Sequence, residues 1–101
     1  MELLPIELRK NNYDYKQVKR TEKAAMYGQY VTGGELLIAY EVFLIREQKE
    51  SDTVLGGKDV HYVNKELFPG DENFGINAWS FSSLQRAELC YKGLIKLNDG
   101  L

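Results

Sequence analysis

The sequence predicts an α+β fold, an antiparallel sheet of about four strands with one C-terminal helix packed on one face, and three observations lead there. Two tyrosine- and valine-bearing segments, 13–20 and 24–31, flank a polar turn at Thr21-Glu22-Lys23. An apolar run from Leu36 to Ile45 reads as a central strand, and apolar residues at helical spacing form a stripe near the end of the chain.

Taken in order, Leu3, Leu4, Ile6 and Leu8 fit either a short helix interrupted by Pro5 or an extended cover strand, so residues 1–10 stay open between the two. The segments 13–20 and 24–31 favour strand because tyrosine and valine fit a pleated, half-buried surface. Gly33-Gly34 then allows a tight reversal. In the run that follows, Leu36, Ile38, Tyr40, Val42 and Leu44 point one way and Leu37, Ala39, Phe43 and Ile45 the other. Both faces of this strand therefore need cover. The polar stretch from Arg46 to Asp52 runs into solvent, and Gly56-Gly57 marks a hairpin turn before a fourth strand at Lys58–Val63.

Residues 66–78 carry Pro69, Gly70, Asp71, Asn73, Gly75 and Asn77 and read as a long ordered loop. Phe74 and Trp79 are expected to insert into the core, with Gly75 letting the backbone turn. After the short apolar piece Ala78-Trp79-Ser80-Phe81, Ser82 stands three residues before Gln85, the spacing of a capping box, which predicts a helix over 82–97. Leu84, Ala87, Tyr91, Leu94 and Ile95 form its buried stripe, Cys90 and Leu97 flank it, and Gly100 lies beyond its end. The expected order is β-β-β-β-α.

Composition bounds the rest. The 101 residues, 44% hydrophobic and 28% charged, suit a single domain over 1–101 with no internal repeat or linker. Cys90 is the only cysteine, so no intramolecular disulfide forms, and a reducing, cytoplasmic setting is expected. The N-terminus has an acid where a secretory signal places bases, and no apolar run approaches the length of a membrane span. The net charge of −2 draws no polyanion as a whole, but Arg9, Lys10, Lys16, Lys19, Arg20 and Lys23 stand against only Asp14 and Glu22 within residues 9–23. That stretch can track phosphates, with nearby tyrosines as a stacking platform, or it is the solvated face of a charged hairpin.

No constellation of base, nucleophile or metal ligands stands out, so neither catalysis nor a cofactor is expected. His61 is the only histidine and lacks ligand partners in sequence. Cys90 beside an apolar stripe reads as a small buried hydrophobe. Asp71, Glu72 and Asn73, with Glu66 nearby, lack the spacing of a calcium loop and read as a solvated turn. Glu41 is the one charge inside the apolar strand: either a functional acid, or a structural group that lies on the less covered face of the sheet or pairs with a base such as Lys19 or Arg20.

The ordered set Lys19–Tyr27, Tyr40–Ile45, Phe68–Gly75, Ala78–Phe81 and Leu84–Ala87 resembles small uncharacterised proteins found around bacterial phages and mobile elements. The resemblance covers most of the chain and implies an accessory role, with no activity to carry over to any residue. Separately, Trp79-Ser80-Phe81-Ser82-Ser83-Leu84 leading into Ala87 and Tyr91 is similar to the strand-to-helix junction of AP2-like domains, which place a three-stranded sheet against DNA.

Two functions are thus expected to compete, a protein-interaction or accessory module and a nucleic-acid binder using residues 9–23. Because one helix covers only one face, the sheet's second face is expected to bind a second copy as a homodimer.

Overall fold

A computed structural model describes residues 1–99 of the chain. Four strands run first, β1 (Glu7–Lys10), β2 (Tyr13–Arg20), β3 (Ala24–Val31) and β4 (Leu37–Leu44). Four short ones follow, β5 (Arg46–Gln48), β6 (Ser51–Leu55), β7 (Lys58–Tyr62) and β8 (Lys65–Leu67). A 3-10 turn at Asp71–Asn73 leads to β9 (Ala78–Phe81) and the helix α1 (Leu84–Asp99). The fold is α+β: a five-stranded antiparallel sheet in the order β1-β2-β3-β4-β9, with α1 packed on β3, β4 and β9.

Local chemistry sets the turns. Asn11 and Asn12 join β1 to β2 with φ of 52° and 68°, a left-handed conformation that asparagine tolerates better than most residues. The Thr21 hydroxyl accepts bonds from the Lys23 and Ala24 amides and closes the β2–β3 turn where the sequence places it. Register slips at Val18 in β2 and again between β3 and β4, so both pairs carry a bulge.

Membership of the sheet differs from expectation. The strand expected over 58–63 forms, but it pairs with β6 in an outlying two-stranded hairpin, and β5 with β8 makes a second one. The places beside the meander go to β1, from the segment left open, and to β9, the short apolar piece before the helix. Burial explains the exchange: β6 is exposed at every position, whereas Ala78 of β9 is fully buried against the core.

Both sheet faces are covered. On one, Ala24, Met26 and Val42 pack against Ala87, Tyr91 and Leu94, with Trp79, Phe81 and Cys90 around them. Leu84, expected in this stripe, is 45% exposed because it opens the helix at its rim. The cap also falls one residue later than expected: Ser83 Oγ accepts from the Arg86 amide at 3.4 Å. Gly100 lies outside the described residues.

On the opposite face, Tyr15, Ala25, Tyr27, Phe43 and Ala78 are closed over by Leu4, Leu8, Phe68 and Phe74. Phe68 sits at the centre, its ring 5.0 Å from that of Tyr15 and 5.2 Å from those of Tyr27 and Phe43. The face expected to receive a second copy is therefore occupied by the chain's own N-terminus and loop. Phe74 packs as expected, and Gly75 adopts φ of 87° beside it.

Polar clamps hold this cover. Glu66 accepts both terminal nitrogens of Arg20, at 2.5 and 2.8 Å, together with the Leu4 amide at 2.9 Å. Buried Asn73 Oδ1 accepts from Arg46 Nη2 at 2.8 Å and from the Gly70 amide at 2.9 Å, fixing the loop. Tyr27 donates its hydroxyl hydrogen to the Pro5 carbonyl at 2.5 Å.

Candidate functional site

The loop cover stops short of the upper part of the sheet. Where it ends, a cavity of about 250 Å³ opens between the Pro69–Asp71 corner and the strands. Its floor comes from side chains that alternation turns to the loop face: Tyr13 and Tyr15 of β2, Gln29 of β3, Glu41 of β4 and Ser80 of β9. Phe68 and Phe74 form its apolar wall, and Lys10, Asn11 and Asp71 stand at the mouth.

Glu41 is the unusual member. It is 6% exposed and, unlike Glu66 on the same face, which pairs with Arg20, takes part in no hydrogen bond or ion pair among the described residues. Lys19 and Arg20, the partners the sequence suggests, are committed elsewhere, to Glu88 and Glu66. Burial pushes the Glu41 carboxyl up to about 7, with Lys10 pulling it down and Asp71 pushing it further up. Its near neighbours already have partners. Tyr15 Oη accepts from Gln29 Nε2 at 3.0 Å, and Lys10 Nζ donates to the Pro69 carbonyl at 2.5 Å while lying 5.4 Å from the centre of the Phe68 ring. Burial also pushes the Tyr15 phenol up, and the Glu41 charge adds to that.

The six basic residues of 9–23 do not form one surface. Lys10 and Arg20 face the loop side. Arg9, Lys16 and Lys19 face the helix side, where Arg9 pairs with Asp14 at 3.0 Å, Lys16 lies over the Tyr30 ring and Lys19 lies over that of Tyr91. Lys23 is exposed in the β2–β3 turn. The tyrosines divide as well: Tyr13, Tyr15 and Tyr27 belong to the loop side, Tyr30 and Tyr40 to the helix side.

His61 lies on the outlying hairpin, 2.6 Å from Asp52, and does not line the cavity. Cys90 is half-buried against the helix-side core, and burial pushes its thiol up. Of the cavity residues, sequence reasoning singled out Glu41 and left it open between a functional acid and a structural group on a less covered face or in an ion pair. It placed Lys10 in a phosphate-tracking stretch and Asp71 in a solvated turn. The available signal was alternation, since Glu41 shares a strand face with Phe43 and so points into cover rather than solvent.

No family model matches the chain, and neither a curated protein nor a solved structure does.

Proposed function

We propose that this protein is a non-catalytic recognition module, with the accessory role its phage-protein resemblance implies, and that it seats one small polar group of a ligand or partner in the cavity over Glu41. The observation that carries this is an unpartnered carboxyl, 6% exposed, lining an open cavity. A buried ionisable group without a partner is costly, and a ligand that satisfies it recovers that cost on binding. The surroundings favour holding over reacting: Tyr15 and Lys10 are engaged by Gln29 and Pro69, so the walls are preorganised. At about 250 Å³ the cavity suits a side-chain-sized group better than a drug-sized molecule.

Nuclear magnetic resonance of isotope-labelled protein against a chemically mixed fragment set tests the site. Saturable shifts gathered at Tyr15, Gln29, Glu41 and Ser80 are expected. Hits confined to the β6–β7 hairpin or the helix would remove the cavity from consideration.

A further inference from the structure

The cavity's chemistry narrows the class of group it takes. Two carboxyls border it, Glu41 in the floor and Asp71 at the mouth, against the single cation Lys10. Lys10 donates one ammonium hydrogen to the Pro69 carbonyl and lies 5.4 Å from the centre of the Phe68 ring, so its position is fixed by the loop rather than by Glu41. The groups facing Glu41 are Lys10 from β1, Tyr13 and Tyr15 from β2, and Asp71 from the loop, with Tyr27 and Ser80 as its cross-strand neighbours. Among them only Lys10 carries positive charge. An apolar wall of Phe68 and Phe74 next to a carboxyl floor matches a charged head on a short hydrocarbon stem. An anion would meet two carboxyls there, and a neutral group would leave Glu41 uncompensated.

We propose that the cavity binds a small organic cation, a protonated amine on an apolar stem, with the Glu41 carboxylate as its counter-ion and the tyrosine and phenylalanine rings as walls. This deepens the recognition reading and rests on it. The amine is either the end of a lysine side chain or a free alkylamine, which share this chemistry. Binding is linked to ionisation of Glu41, so affinity rises with pH until Glu41 is fully ionised and levels off above that.

The test titrates labelled protein with butylammonium, butanol and butyrate at pH 8 and at pH 5.5, following Tyr15, Gln29 and Ser80 signals. Butylammonium should bind best, about tenfold or more above butanol at pH 8, as expected for one partly buried charge pair. That advantage should shrink at pH 5.5 and in Glu41→Gln. Asp71→Asn, at an exposed position that leaves the core alone, should weaken butylammonium by a smaller factor. Replacing butylammonium by N-acetyl-lysine methylamide separates the sources: tighter binding points to a partner's lysine, weaker binding to a free amine. Butanol or butyrate binding as well as butylammonium would overturn the cation assignment while leaving the recognition cavity standing. No response to any of the three probes, together with an empty fragment screen, would overturn both.

Discussion

The two faces of the sheet are closed by different means. On one, α1 lays Ala87, Tyr91 and Leu94 along Met26 and Val42, a regular element covering a regular element. On the other, an irregular N-terminus and loop lay Leu4, Phe68 and Phe74 over Tyr15, Tyr27 and Phe43, and the cover ends at Glu41. A helix repeats its apolar stripe at every turn and leaves few gaps. A loop covers only where it has a large side chain to place, and the remaining gap is where polar chemistry gathers.

The loop face should prove as much a core as the helix face. Phe43→Ala, which removes a fully buried ring of the aromatic cluster, should cost roughly 3–5 kcal/mol by chemical denaturation. A loss below about 1 kcal/mol would mean that the loop cover is loose and that only the helix face holds the fold.

Next come two carboxyls of that face, Glu66 and Glu41, which titrate with opposite effects. Glu66 is held below the usual carboxylate range by its hydrogen bonds from Arg20, so its stabilisation is complete at neutral pH and is lost as pH falls through its folded value. Arg20→Met strands Glu66, whose side chain is 5% exposed, and should cost about 3 kcal/mol near pH 7. Glu41, raised from 4.5 to about 7, holds its proton longer folded than unfolded, so stability declines as pH rises between those values. Glu41→Gln should therefore stabilise by about 3 kcal/mol at pH 8 and by less than about 1 kcal/mol at pH 5. Thermal melts across this range decide it, and a gain independent of pH would mean that Glu41 stays ionised throughout.

Smaller effects bear on the surface. With both faces covered, light scattering at micromolar concentration should return the mass of one 11.6 kDa chain; twice that mass would point to a different apolar surface, such as exposed Leu36 and Ile38. Because the basic residues divide between faces, charge reversal of Arg9, Lys16 and Lys23, which spares the Arg20–Glu66 clamp, should leave DNA retention at low salt unchanged, whereas steep salt-dependent binding that the reversal abolishes would restore the nucleic-acid reading. Excising Ser51–Tyr62 and joining Glu50 to Val63 should shift the melting temperature least, since β6 buries no side chain.

Much of this architecture was legible in the sequence. The segments 13–20 and 24–31 and the turn between them stand where tyrosine, valine and Thr21 indicate, because local propensity and tertiary pairing agree there. Glu7–Lys10 and Ala78–Phe81 were not legible as sheet members, because four residues carry too little periodicity to declare a partner. Lys58–Tyr62 carried the pattern of a strand but not the side chains of a core strand, and ended outside the sheet. The candidate site was half legible. Glu41 is conspicuous in an apolar run, but the absence of a partner depends on where Lys10, Lys19 and Arg20 point, which only the assembled sheet decides.

The sheet order also imposes a timetable on synthesis. The ribosome releases β4 well before β9, the strand that closes its free edge, and the β5–β8 region must emerge between them. Until residues 78–81 arrive, β4 presents unpaired backbone amides and carbonyls along a segment rich in Tyr40, Val42 and Phe43, the kind of edge on which nascent chains stick to one another. Leu4 waits nearly as long, since its amide is captured by Glu66. Residues near Leu4, made before β4, are thus seated after it, and a pause in translation between residues 45 and 77 would prolong the interval in which the chain is most prone to aggregate.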